Sequence, residues 1–274
     1  MKDTDASDWE ELAGREPYFA VLTSEGLPGV AGNSVATTEF FETGVADIAA
    51  LIEAMTSLLG REIHPVSTLD FGCGAGRLTL PLARISTRVV ACDIAPTILD
   101  HARQNLERAS LRNVTLLSNE ELSTLPDGHF DFACSLLVFE HIPPASGYAL
   151  IHTILRLLAP RGVAAIHVPF ERKGGLRRYV RFIRGKWRRR PSGGVRNRAG
   201  ELPFMQRNEY DQGRLVRNIE ASGARLAGSF ATPHGETVSA VLIIEKGPHS
   251  AETTEPAPAR PATNSGLKRL RRDL

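Results

Sequence analysis

Only three cysteines occur in the 274-residue chain, Cys73, Cys92 and Cys134. No two stand at C-x-x-C spacing, so neither a disulfide framework nor a zinc site is expected. All three lie in or beside predicted strands and read as small buried residues in a reducing cytoplasm. No apolar run approaches the length that spans a bilayer. The polar start, Lys2-Asp3-Thr4-Asp5, lacks the apolar stretch of a secretory leader, so no signal peptide is expected. There is no internal repeat. No G-K-[ST] follows the glycine-rich loop, which excludes a P-loop. The formal net charge is only +2, an even balance that hides a strong local asymmetry.

What is present centres on Leu69-Asp70-Phe71-Gly72-Cys73-Gly74-Ala75-Gly76-Arg77. An apolar, β-branched run from Val66 leads in, and the helical pattern Leu78 to Ala83 leads out. This is a strand, a tight turn and a helix start. Glycines there let the chain turn sharply and let a ligand lie against bare main chain. The N–H groups of the following helix favour a polar or anionic group in the same space. A dinucleotide fingerprint reads G-x-G-x-x-G. Here the third glycine comes one residue early, and Arg77 stands where that pattern wants glycine.

Strand-like and helical stretches alternate after the loop. Strands are predicted at 88–93, 114–117, 130–138 and 163–168, and helices at 96–109 and 146–158, with Pro96 suiting a first helical turn. An amphipathic helix at 38–59, stopped by Gly60, precedes the first strand. Towards the C-terminus a helix at 211–222 leads to two strand-like runs, Arg225–Ala231 and Val238–Ile244. Parallel strands need a crossover of roughly a dozen residues or more, so these two should form an antiparallel hairpin. The fold class is α/β: a doubly wound, seven-stranded, mostly parallel sheet with an antiparallel C-terminal hairpin strand. Residues 1–37 read as an N-terminal extension packed over the domain, 38–246 as the domain, and 247–274 as a disordered basic tail.

Ligands of such sheets bind beyond the carboxyl ends of the strands. The second strand ends in Asp93, followed by Ile94. A carboxylate there can accept hydrogen bonds from both ribose hydroxyls of a nucleoside. An acid at this place also suits NAD, so by itself it does not discriminate.

With Asp70 opening the turn, the loop resembles motif I of the class I S-adenosylmethionine (SAM)-dependent methyltransferases. Leu125-Pro126-Asp127-Gly128-His129-Phe130-Asp131, with Val138-Phe139-Glu140-His141-Ile142, resembles that family's LPDGSFD and VLEHI segments. Leu155 to Gly162 resembles its LKPGG turn. The resemblance covers about residues 66–170, and the hairpin loosely. It implies SAM as cofactor and methyl transfer; oxygen is the acceptor atom expected here. It also implies that Asp70, Gly72, Cys73, Gly74 and Gly76 line the methionine end and ribose. Asn119, then Glu120, would meet the adenine, Ser135 and Leu136 would lie near the methionine end, and Glu140-His141 would lie near the methyl. A helix ahead of the first strand would help cover the site, although core packing suits Phe40 and Phe41 better. The alternatives are a nucleoside-binding domain without catalysis and an NAD-dependent oxidoreductase. Arg77 and the hairpin argue against the second.

A hydroxyl acceptor must lose its proton, which favours a histidine or carboxylate within reach. His141 is the first candidate and His167, near the end of the fifth strand, the second. Glu140 and His141 alone are too few ligands to assert a metal. Residues 171–198 hold twelve arginines and lysines against one acid, Glu171. Within this insertion, taken as 171–210, the segment 176–190 reads as a short amphipathic basic helix in the place of a substrate lid. It suits a small-molecule or lipid-linked acceptor of acidic character, or peripheral docking on an anionic membrane. Nucleic acid ranks below both, because no RNA-binding module accompanies the basic run.

Overall fold

The computed structural model of the chain describes residues 6–15, 17–18, 34–170, 196–197, 200–201, 208–234 and 237–248. The basic segment 176–190 and nearly all of the expected tail lie outside them.

Two helices precede the sheet: α1 (Ala6–Arg15) and α2 (Ser34–Leu59). The second begins at Ser34 rather than Thr38, so the expected domain boundary falls inside it. The alternating part runs β1 (Ser67–Phe71), α3 (Thr79–Ile85), β2 (Arg88–Asp93), α4 (Pro96–Arg108), β3 (Val114–Ser118), α5 (Asn119–Ser123), β4 (Phe130–Ser135), α6 (Pro144–Leu157) and β5 (Leu158–Phe170). After these come α7 (Gln212–Ala221), β6 (Ala224–His234) and β7 (Thr237–Lys246). A separate two-residue ladder pairs Arg196–Asn197 with Gly200–Glu201.

The seven-stranded sheet has the order β3-β2-β1-β4-β5-β7-β6. The first five strands are mutually parallel. Strand β7 inserts between β5 and β6 and runs antiparallel to both, as the short connection requires. Helices cover both faces, which is why β1 is buried at every position. The period of two then divides the core. Ala164, Ile166, Leu242 and Ile244 pack with α6 and α7, whereas Val163, Ala165, Val241 and Ile243 pack with α2 and α3. By the same alternation His167 faces the α2 side.

Strand β4 stops at Ser135 instead of reaching Val138. Leu137 adopts φ +65°, a left-handed conformation that ends the ladder, and Phe139–His141 close into a 3₁₀ turn. Strand β5 is longer than expected. It absorbs the Pro160-Arg161-Gly162 turn as an irregularity, with Arg161 at φ +62°.

Candidate functional site

The glycine loop leaves β1 at Gly72, whose φ is +75°. A Cβ there would stand 2.3 Å from Val138 Cγ2, so the position needs glycine for both conformation and space. The Gly72 and Cys73 N–H groups both donate to the Cys92 carbonyl at 2.9 Å, tying the loop to the end of β2. One residue on, Asp93 is held from three sides. Its Oδ2 accepts from Gly74 N at 2.9 Å, and its Oδ1 from Ile94 N at 2.8 Å and Ala95 N at 3.2 Å. Burial pushes the Asp93 carboxyl up, and the three N–H groups oppose that.

A cavity of about 390 Å³ opens over this loop. Gly72, Gly74 and Phe71 line it from β1, and Asp93, Ile94 and Ile98 from β2 and α4. Asn119, Leu136 and His141 come from the ends of β3 and β4. Asn119 Oδ1 is buried there without a hydrogen-bond partner among the described residues. The cavity is also lined by α1, through Trp9 and Ala13. The Trp9 ring meets His141 edge-on, with centroids 5.1 Å apart. Glu10 fixes this helix by accepting from Thr97 N at 3.2 Å and from the Thr97 hydroxyl. A carboxylate suits that place, at the positive end of the α4 dipole. His141 is itself buried, and its Nε2 lies 3.3 Å from Glu140 Oε1. The Glu140 carbonyl accepts from Asn208 N at 2.7 Å, and Tyr210 Oη donates to the Ile142 carbonyl at 2.9 Å. Tyr210 is therefore a buried brace for the His141 turn, packed on Phe139 and Tyr148, and it does not line this cavity.

A second cavity, about 230 Å³, lies between α2 and the sheet. His167, Val241 and Phe230 are neighbours across β5, β7 and β6 and form one row of its lining. Asp47 and Leu51 come from α2, and Arg77 from the start of α3. Arg77 is buried, and its Nη1 donates to Asp47 Oδ2 at 2.5 Å and Thr43 Oγ1 at 3.3 Å. Helix α2 reaches it because of Gly44, where a Cβ would meet the Arg77 carbonyl oxygen at 2.1 Å. Leu136 and Leu137 line both cavities and form the partition between them.

Residues 68–162 match the family described as Methyltransferase domain. The chain around this segment has the Rossmann-like fold of the class I methyltransferases. A ubiquinone biosynthesis O-methyltransferase of Xanthomonas oryzae pv. oryzae is 36% identical over 95 residues, 34% of this chain and 39% of the relative. The chain thus spans well under half the length of that curated relative. The magnesium protoporphyrin IX methyltransferase ChlM of Synechocystis, solved with bound SAH, superposes with a TM-score of 0.59 at 18% identity. That match covers 88% of this chain and 100% of ChlM. The [4+2]-cyclase SpnF superposes with a TM-score of 0.51 at 16% identity, over 73% of this chain and 81% of SpnF.

Within this fold the expected site residues divide into three groups. Gly72, Gly74, Asp93, Ile94, Asn119, Leu136 and His141 share the larger cavity. His167 faces the smaller one. Asp70, Cys73, Gly76, Glu120, Ser135 and Glu140 line neither. Asp70 turns beneath the loop, accepting from Thr79 Oγ1 at 2.6 Å, with the Cys134 thiol 3.8 Å from its Oδ1. Burial lifts its pKa to about 6, against opposing effects of Thr79 and Arg77. Burial also pushes the Cys73 thiol up, away from the reactive thiolate form. Phe40 is buried against Tyr18 and Phe41, a packing role. Sequence reasoning does not single out Trp9, Ala13, Asp47 or Leu137. The i, i+3, i+4 spacing of Trp9, Leu12 and Ala13 is the one signal that marks α1 as a packed helix.

Proposed function

We propose that this chain binds SAM in the larger cavity and transfers its methyl group to an oxygen of a small-molecule acceptor. Asp93 carries the reading. Its carboxylate is pinned by three backbone N–H groups beside bare glycine backbone. Asn119 Oδ1 adds a second buried acceptor in the same cavity. A nucleoside offers donors to both, its ribose diol to Asp93 and its exocyclic amine to Asn119. The residues therefore fit the nucleoside end of SAM. When bound, SAM supplies a methyl already activated by its sulfonium. The chain contributes orientation and exclusion of water. Trp9 and Ala13 shield one side of the cavity, the glycine loop holds the other, and His141 stands beside it with Glu140 Oε1 3.3 Å from its Nε2.

Non-catalytic or other chemistry on this fold is the second reading, because SpnF carries the name of a cyclase on a similar backbone. Calorimetry with SAM and with NAD tests the first step. Saturable SAM binding without NAD binding is expected, and NAD binding without SAM binding overturns the proposal. Label transfer from methyl-labelled SAM to a panel of hydroxylated small molecules tests the second. Labelled SAM that binds but never yields a labelled product supports the alternative.

The three free, buried cysteines suit a cytoplasmic protein. Among the described residues no helix is long and apolar enough to cross a membrane. The sequence of 176–190 supports peripheral contact with anionic lipid. Full-length protein should pellet with phosphatidylglycerol vesicles at low salt and less at high salt, and deletion of 176–190 should abolish the pelleting. Pelleting that ignores salt and deletion rules that contact out.

A further inference from the structure

The smaller cavity is not needed for the nucleoside contacts above, yet it is built from unlike parts. Its lining is largely apolar: Leu51, Val241, Phe230 and the partition residues. Into this setting the fold brings Arg77, which is only 2% exposed, and His167, also 2% exposed. Burying a guanidinium is costly unless its donors are used. Nη1 is used by Asp47 and Thr43, but the buried Nε–H meets no acceptor among the described residues. One donor of a fixed cation is thus left unused in a residue that lines the cavity. The partition adds a second observation. Leu137 holds a left-handed backbone, which a bulky residue rarely adopts. That strained residue stands where the two cavities meet.

We infer that the smaller cavity is the acceptor site and that it selects a planar, anionic hydroxy compound, with Arg77 as the specificity-determining residue and His167 as the proton acceptor. This rests on the SAM-binding reading of the larger cavity. A space of about 230 Å³ takes one substituted ring. The apolar row Val241–Phe230 meets the ring, and the Arg77 guanidinium donates to its carboxylate or phenolate oxygen. The reacting hydroxyl passes its proton to the His167 imidazole. Its oxygen bonds the methyl carbon beside Leu136 and Leu137, and the sulfur–methyl electron pair stays on sulfur. The products are a methyl ether, the thioether form of the cofactor, and a proton that His167 releases to water.

The test uses full-length protein saturated with S-adenosylhomocysteine and two probes, 3,4-dihydroxybenzoate and uncharged catechol. The wild type should bind the acid at least tenfold more tightly than catechol. Arg77→Met should erase that preference and leave SAM affinity within about twofold. Ala50→Trp, placed on an exposed turn of α2 that lines the cavity, fills the space without a core change and should block both probes while SAM still binds. The inference is overturned if the wild type binds SAM but shows no preference for the acid. It is equally overturned if Arg77→Met or Ala50→Trp lowers SAM affinity and spares the probes, since the cavity then belongs to the cofactor. Absence of SAM binding in the wild type is a different result, and it sinks the reading on which the inference rests.

Discussion

Asp70 gives the sharpest test of the structure, because its carboxyl is buried without a full cationic partner. Its pKa rises from 3.8 to about 6 through burial, with Thr79 donating one hydrogen bond. For an acid with a raised native pKa, the folded state holds a proton that the unfolded chain has lost. This group's contribution to stability therefore falls as pH rises from 3.8 to about 6, and is constant above. The full effect is about 2 pH units at ~1.4 kcal/mol each, or about 3 kcal/mol against the native state at neutral pH. Asn at this position keeps the shape and the Thr79 bond but carries no charge. Its amide N–H₂ finds only the Cys134 sulfur, which costs about 1 kcal/mol or more. Asp70→Asn should therefore stabilise the ligand-free protein by about 1–2 kcal/mol near pH 7.5 and be neutral or destabilising near pH 4.5. The difference between the two conditions, about 2 kcal/mol, is independent of the amide's own cost. Urea unfolding of both proteins at the two pH values measures it. An Asn-minus-Asp difference that does not change with pH would refute a buried, uncompensated carboxyl at position 70.

Two further outcomes follow from the loop geometry. Gly72→Ala meets both a positive φ and a 2.3 Å contact with Val138, so it should destabilise the fold by about 2 kcal/mol or more and weaken SAM binding. A variant of wild-type stability and affinity would mean the loop has another conformation. Asp93→Ala removes a charged acceptor and should weaken SAM affinity by about tenfold or more in calorimetry, since each hydrogen bond to a charged group contributes about 1.5–3 kcal/mol. Unchanged affinity would remove Asp93 from the site.

Much of the larger cavity was legible because its residues are close to strand ends in the sequence. Asp93 and Asn119 each follow a readable strand, and the glycine loop announces itself by spacing. Topology then carries them together. The hairpin was legible for a similar reason: a six-residue connection between 231 and 238 leaves room for nothing else. The end of β4 was not, because Leu136-Leu137-Val138 is as apolar as the strand before it. Only a backbone torsion at Leu137 separates strand from turn, and composition does not report torsions. The direction of the Asp70 side chain was not legible either. Its place in the motif says that it starts the loop, whereas strand alternation and the Thr79 hydroxyl decide that it points beneath it.

The sequence by itself determined the order of elements, the sharp turn after β1 and the reversal of the last strand, since each follows from local spacing of glycines, apolar residues and connection length. Tertiary structure decided what no local pattern contains. It laid α1, the first described helix, against His141 in the middle of the chain, through Trp9. It brought Asp47 to Arg77 across Gly44, and His167 into one row with Val241 and Phe230. These contacts depend on how helices settle on a twisted sheet. The second cavity exists only once the whole sheet and its α2 face are assembled.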